Sequence, residues 1–188
     1  MEGAFQVKII RSPRRKKTVS ARVDGQLMFV SAPLGIPQQS LDTMIRDFQV
    51  RFQRRRLKKE LNNRADLSQA AEGLNQRYFG GALKIQSIEY VTNQTAKYGC
   101  CNHQRARILL SHVLSQMPRW VRDYVIVHEM AHLVEPNHSH EFWNLVARYP
   151  LAERAKGFLL AKGYDIAIDE SGREENLDNE LPPTLSVD

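Results

Sequence analysis

The sequence predicts an α+β fold in which a small, mostly antiparallel sheet packs beside helices around one central buried helix. Residues 1–36 contain three strand patterns, residues 37–82 have helical periodicity, and residues 83–164 contain three strand patterns followed by helical ones. The chain has 188 residues, of which 42% are hydrophobic, so it can bury a core without disulfides. We expect one domain over residues 1–164, with these three ranges as its parts.

Strand patterns dominate the first of these ranges. Residues 5–10 alternate between apolar and polar side chains as a strand does. Residues 18–23 and 27–32 flank Asp24-Gly25, a dipeptide that is typical of tight β-hairpins. The sequence therefore predicts a hairpin preceded by one strand.

Two helices are predicted next. The first, over residues 38–61, is amphipathic. Its inner face carries Leu41, Met44, Ile45, Phe48, Phe52 and Leu61. The second, near residues 67–79, ends at Gly80-Gly81, and glycine commonly occupies the position that follows a helix.

Three strands, near residues 83–91, 95–101 and 106–111, precede another helix. Pro118 suits the first turn of that helix. Residues 120–134 carry apolar side chains on every side of the helix, which indicates that the helix is buried. Two short helices are predicted to follow it.

The buried helix contains the motif His128-Glu129-Met130-Ala131-His132. A helix advances about 100° per residue, so His128 and His132 project from one face. Two imidazoles at this spacing bind one zinc ion, and Glu129 beside them is placed to take a proton from water. His138 is the candidate third ligand. Three protein ligands leave the fourth position open, which is the arrangement of catalytic zinc.

The segment after this helix favours His138 as the third ligand. Residues 135–137, Glu-Pro-Asn, end the helix because proline cannot continue it and asparagine tolerates tight turns. Ser139 is a typical N-cap for the next helix. Phe142, Trp143 and Val146 follow at helical spacing. His138 then lies in a short turn between two helices, while His140, the alternative third ligand, falls in the first turn of the second helix.

The stretch from Tyr124 to Trp143 resembles the core of the YgjP-like metallopeptidases, small zincins related to the SprT-like and WLM groups. The likeness extends upstream through Arg11–Lys17, Ser31–Gly35 and Lys97–Cys101, and it covers roughly residues 7–164. The resemblance implies a zincin-like fold.

This resemblance also implies a site. His128, His132 and His138 would hold one zinc ion per chain, and Glu129 would be the catalytic residue. In zincins an edge strand beside the metal helix binds the substrate through its backbone. Here that strand would contain Tyr98 and Gly99.

The substrate would be a peptide or protein, and His140 is a further candidate contact for it. The side chain that stabilises the developing oxyanion stays open. The candidates are Tyr98, His103, His140 and Tyr149.

Charge is unevenly distributed along the chain. Residues 1–64 hold 15 Lys and Arg against 5 Asp and Glu, a net of +10, whereas residues 165–188 hold 1 against 8, a net of −7. We expect the acidic C-terminal segment to be disordered. The basic residues of the helix predicted over residues 38–61 mostly suit its solvated outer face. The alternative is that the basic residues bind nucleic acid non-specifically through phosphate contacts.

Cys100 and Cys101 are the two cysteines, and they are predicted to be buried free thiols that point to opposite faces of a strand. Such cysteine usage suits a reducing cytoplasm. The sequence shows neither a signal-peptide core nor an apolar stretch of membrane-spanning length. It does not specify an oligomeric state.

A zinc metallopeptidase is the function that these observations favour. Two alternatives remain open. One is a metal-dependent hydrolase of another substrate, such as nucleoside triphosphates, and the other is a nucleic-acid-associated zinc module. The chain has no glycine-rich phosphate loop, which counts against nucleoside triphosphates as the substrate. A zinc module that only binds nucleic acid would not need Glu129, which counts against the second alternative.

Overall fold

The computed structural model describes residues 5–64, 66–94, 97–163 and 184–186. Its contacts divide the chain into two compact units, with the boundary between Arg56 and Leu57. Residues 5–56 and 184–186 form the N-terminal unit, and the described residues from 57 to 163 form the second unit. The single domain over residues 1–164 stays a prediction.

The described residues form seven strands and five α-helices. In chain order they are β1 (Gln6–Ser12), β2 (Thr18–Asp24), β3 (Leu27–Pro33), α1 (Gln38–Arg64), α2 (Leu67–Phe79), β4 (Ser87–Val91), β5 (Gly99–Asn102), β6 (Arg107–Ser111), α3 (Arg119–Ala131), α4 (His140–Val146), α5 (Ala152–Ala161) and β7 (Thr184–Ser186). A 3₁₀ turn, His112–Gln116, separates β6 from α3.

In the N-terminal unit the strands form one sheet in the order β1-β3-β2-β7. The predicted hairpin is present, with Asp24 opposite Leu27 and Gly25 at a φ of 60°. β1 pairs with β3 in parallel. Leu41 and Phe48 of α1 are buried in the same apolar cluster as the inward side chains of β2 and β3.

Of the acidic segment 165–188, only β7 lies within the described residues. Its three residues pair antiparallel with β2, with Leu185 opposite Val19. The predicted disorder of the segment otherwise concerns residues outside the described ranges.

The second unit contains a three-stranded sheet in the order β4-β6-β5, in which β4 is parallel and β5 antiparallel to β6. The predicted strand over residues 83–91 begins only at Ser87. The reason is that the side-chain amide of Asn75 bonds both the backbone N–H and the carbonyl oxygen of Leu83, which holds that residue in a loop. The predicted α2 is confirmed, and Gly80 ends it in the left-handed conformation at a φ of 64°.

β5 is also shorter than predicted, since it begins at Gly99, and residues 95–96 lie outside the described ranges. The two cysteines on β5 are half-buried rather than buried.

The α+β class and the central buried helix are confirmed, whereas the arrangement of strands differs from the prediction. Two mixed sheets take the place of one mostly antiparallel sheet, and each includes one parallel pair. No helix in the described part of the chain is both long and apolar enough to cross a bilayer.

α3 runs through the core of the second unit. Every residue from Tyr124 to Ala131 is buried. Its regular turns end at Ala131 rather than at the predicted Val134, because the N–H groups of Leu133 and Val134 bond carbonyl oxygens only three residues back. Val134 is 53% exposed, so the apolar sequence continues past the buried part of the helix.

Candidate metal centre

His128 and Glu129 lie in the last turn of α3, and His132 caps its C-terminal end. The side chains of His128 and Glu129 are 4% and 5% exposed. Apolar residues of the same helix, including Val125 and Met130, are buried in the core of the second unit. The rigid backbone of the helix therefore fixes the relative positions of these three polar side chains.

The imidazole nitrogens of His128, His132 and His138 converge. One ring nitrogen from each lies within 4.8 Å of the others, and the Nε2 atoms of His128 and His138 are 3.3 Å apart. Two nitrogens bound to one tetrahedral zinc ion at 2.0–2.1 Å would lie about 3.3–3.4 Å apart. This spacing fits a zinc ion, and the described residues contain no second cluster of three candidate ligands.

The surroundings of His128 favour its neutral form. Burial lowers its pKa well below the ordinary value of 6.5, and the neighbouring rings of His132 and His138 lower it further. Its Nδ1 atom is buried and has no hydrogen-bond partner among the described residues. Because metals bind the neutral imidazole, this environment is compatible with ligation at neutral pH.

Glu129 lies against the first residue of β5. A Cβ atom placed on Gly99 would lie 2.7 Å from both Cγ and Cδ of Glu129, and closer still to its Oε1. Burial raises the pKa of the Cys101 thiol, and the charge of Glu129 raises it further. The carboxylate therefore occupies a tight space between α3 and the backbone of β5.

His138 lies in the turn that connects α3 and α4. The carboxylate of Glu135 accepts a hydrogen bond from the N–H of Asn137 (3.3 Å), and the hydroxyl of Ser139 accepts one from the N–H of Phe142 (3.3 Å). The second bond is the predicted N-cap of α4. These contacts hold the turn on both sides of His138.

The other predicted contacts lie outside the histidine cluster. His140 is exposed and bonds the side chain of Asn144 at 3.0 Å, and His103 is exposed in the turn after β5. Tyr98 is buried directly before β5, and its carbonyl oxygen accepts a hydrogen bond from Ser111. The hydroxyl of Tyr149 donates to the carbonyl oxygen of Trp120 at 3.0 Å, and burial raises its pKa to about 12.

The helical spacing of Phe142 with Val146 predicts only that both belong to the helix after Ser139, whereas the ring of Phe142 contacts all three histidines. The one sequence signal for this role is the position of Phe142 shortly after His138. The close approach of Gly99 to Glu129 had no local signal, because the two residues are far apart in the chain.

Comparison with known proteins places the chain in a family. A search of curated proteins gives no match. The crystal structure of the metallopeptidase zymogen of Pyrococcus abyssi abylysin is similar with a TM-score of 0.46 and 16% identity, and the alignment covers 52% of this chain and 96% of that one. The sequence model of the YgjP-like metallopeptidase domain matches residues 51–159, a range that includes all three histidines and Glu129. The chain therefore belongs to the YgjP-like metallopeptidase family.

Proposed function

We propose that this protein is a zinc-dependent peptidase that holds one zinc ion per chain and hydrolyses peptide bonds with Glu129 as general base. Family membership supports a metallopeptidase that acts on peptides or proteins. One observation supports the proposed zinc ion and the role of Glu129 as general base. Three imidazole nitrogens converge within 4.8 Å of one another beside the buried residue Glu129.

His128, His132 and His138 would hold the ion. When it is bound, zinc supplies Lewis acidity, which lowers the pKa of water to about 7 and polarises a carbonyl group. With three protein ligands, such a site would keep a coordination position open, as catalytic zinc sites do.

Glu129 performs the proton transfers. Its carboxylate accepts a proton from the attacking water and then returns it to the nitrogen of the departing amine. It follows His128 directly on α3, so the helix places it beside the ligands without occupying a ligand position. The backbone of Gly99 limits its movement on the other side.

The substrate would bind along β5, which is an edge strand of the second sheet. An extended peptide adds to such an edge through backbone hydrogen bonds, with loose selectivity for side chains. Gly99 begins the strand beside Glu129, so a peptide paired here would carry its backbone past the general base. Tyr98 precedes the strand, and His140 is the first residue of α4.

The test compares substrates and metal content in one purified preparation. We expect cleavage of an unstructured protein such as casein, loss of cleavage when a chelator removes the metal, and its return with zinc. Nucleoside triphosphates and single-stranded DNA are assayed in parallel. A zinc-loaded protein that hydrolyses triphosphates and leaves every peptide intact would contradict the proposal.

A further inference from the structure

We propose that Phe142 and Trp143 form an aromatic clamp that positions the three histidines for zinc, and that Trp143 sets the orientation of His138. This inference rests on the proposed function. It adds two positioning residues that act through the ligands rather than on the substrate.

Phe142 is the shared contact of the histidine cluster. Its ring centroid lies 4.4 Å from that of His132 in a stacked arrangement, 4.6 Å from that of His138 and 4.9 Å from that of His128, the last two edge-to-face. Its side chain is fully buried. One rigid ring therefore limits the rotation of all three imidazoles.

The backbone of Phe142 is anchored next to the third ligand. Its N–H donates to the hydroxyl of Ser139, the residue that follows His138. The N-cap of α4 and the turn that carries His138 are therefore fixed by the same hydrogen bond. Displacing Phe142 would move the ring and the turn together.

The ring of Trp143 lies closer to that of His138 than to that of His128. The rings of Trp143 and His138 are nearly parallel, with an angle of 21° and centroids 5.5 Å apart, and Trp143 also meets His128 edge-on at 5.9 Å. The ammonium group of Lys156 lies 5.1 Å from the centre of the tryptophan ring. Trp143 is thus held between α5 and the turn that carries His138.

His138 needs this support because it lies outside the regular helices. The backbone of α3 fixes His128 and also His132, which is the C-cap of that helix. His138, in contrast, lies in a short turn. Groups that orient metal-bound histidines usually do so by hydrogen bonds, and their loss weakens metal binding by about 10–100-fold. The aromatic clamp would perform the same task by ring packing.

The test measures zinc affinity of the full chain by competition with a chromophoric chelator, so it does not depend on activity. We expect Trp143→Ala to weaken zinc binding by about 10–100-fold and Trp143→Phe to weaken it less, because a flat ring remains. We expect Phe142→Leu to weaken binding and to change the visible spectrum of the cobalt-substituted protein, which reports coordination geometry.

Phe158→Ala is the matched control. Phe158 is also half-buried in the second unit, meets Trp120 edge-on at 5.5 Å and has the ammonium of Lys162 5.8 Å from its centroid, but it has no ring contact with the histidines. Thermal unfolding of the metal-free proteins measures the purely structural cost of each change. We expect Phe158→Ala to lower metal-free stability while zinc affinity stays within about threefold of that of the unmodified chain, which is less than the loss of at least about tenfold expected for Trp143→Ala.

A fluorescence experiment tests the ring contact directly. The chain has two tryptophans, so Trp120→Phe leaves Trp143 as the only reporter. We expect zinc to change the emission of Trp143 in that variant, and to leave the emission of Trp120 unchanged in Trp143→Phe.

Tight zinc binding by the unmodified chain together with unchanged affinity in Trp143→Ala would overturn the clamp and leave the proposed function intact. Equal losses of affinity in Trp143→Ala and Phe158→Ala would also overturn it. Absence of zinc binding by the unmodified chain would overturn the proposed function and the clamp with it.

Discussion

Gly99 of β5 and Glu129 of α3 approach so closely that a Cβ atom on Gly99 would lie 2.7 Å from two carbons of the glutamate side chain. Such contacts are not tolerated, so either the strand or the glutamate must move. The glutamate is the softer partner, because its side chain can rotate while the backbone of β5 is paired with β6. A methyl group at position 99 would therefore displace the carboxylate.

We predict that Gly99→Ala lowers kcat by about 100-fold, the loss that a displacement of roughly 1 Å at a catalytic group can cause. Zinc content should stay unchanged, because the three atoms nearest to the added methyl group all belong to Glu129 and not to a histidine. Steady-state kinetics and elemental analysis of the same preparation check both statements.

Gly73→Ala is the control for this substitution. A Cβ atom at Gly73 meets nothing within 4 Å, and the residue lies inside α2, where alanine is the better helix former. We expect full activity and a small gain in stability. If Gly99→Ala also kept full activity, the close approach would have no catalytic role.

Replacing Glu129 by Gln should abolish proton transfer and keep the metal. The amide preserves the shape of the side chain but cannot accept the proton, and general-base catalysis contributes about 10²–10⁴-fold. Hydrolysis of the best peptide substrate and zinc content are measured together. Glu153→Gln, an exposed carboxylate of α5, is the charge-matched control. Substantial turnover by Glu129→Gln would remove Glu129 from the role of general base.

The third ligand can be identified by comparing His138→Ala with His140→Ala. His138 belongs to the cluster of imidazole nitrogens, whereas His140 is exposed and bonded to Asn144. We expect His140→Ala to retain about one zinc ion per chain and His138→Ala to lose most of it after dialysis, because three protein ligands are typical of a catalytic site. The opposite ranking would assign the role to His140.

Local patterns predicted much of this fold. The hairpin and α2 were predicted from a turn dipeptide and from helical periodicity with a terminal glycine, and both depend on residues that are near in sequence. The partner of β1 could not be predicted in this way. Alternation shows which side chains share a face, but it does not show that β1 lies parallel to β3 rather than beside β2.

In the candidate site, too, local spacing predicts some contacts, whereas others depend on how distant parts of the chain pack. His128, Glu129 and His132 lie on adjacent turns of one helix, so their spacing alone predicted their proximity. Gly99 reaches Glu129 only through the pairing of β5 with β6. The contacts of Phe142 with all three rings depend on the angle at which α4 leaves the turn, and no periodicity encodes that angle.

A charged cluster on β4 gives the second unit a pH-dependent contribution to stability. Glu89 accepts a hydrogen bond from Arg107 and lies 3.4 Å from the ammonium of Lys58. Burial alone would raise the pKa of Glu89, but its bond to Arg107 and the charge of Lys58 outweigh burial and lower it. A lowered folded-state pKa stabilises the fold above the unfolded value and loses that effect as the pH falls through the folded value.

We therefore predict that Glu89→Gln lowers the melting temperature at pH 7 by about 2–4 °C, which corresponds to about 1 kcal/mol for a half-exposed pair in a chain of this size. The difference from the unmodified chain should shrink as the pH falls below about 4. Glu60→Gln, which removes an exposed pair with Arg64, should have almost no effect. A difference in melting temperature between Glu89→Gln and the unmodified chain that stayed constant down to pH 3 would contradict this account.

The acidic C-terminal segment offers a last prediction, which rests on charge and on one strand pairing. The first 64 residues carry a net charge of +10 and residues 165–188 carry −7. β7, near the end of this segment, pairs with β2 in the N-terminal unit. A tethered segment has an effective concentration on the order of millimolar, so even weak attraction should let it compete with external polyanions for the basic residues.

Truncation after Tyr164 should therefore tighten binding of heparin or a single-stranded oligonucleotide by about 3–10-fold at low salt, because each exposed contact is worth about 1 kcal/mol or less. The gain should fade at high salt, since screening acts over about 8 Å at physiological ionic strength. Leu185→Pro separates the two causes, because proline disrupts strand pairing and leaves the charge unchanged. A gain in both variants would assign the competition to docking of β7, and a gain in the truncation alone would assign it to charge. Equal affinity of the unmodified and truncated chains at low salt would show that the segment does not compete with polyanions.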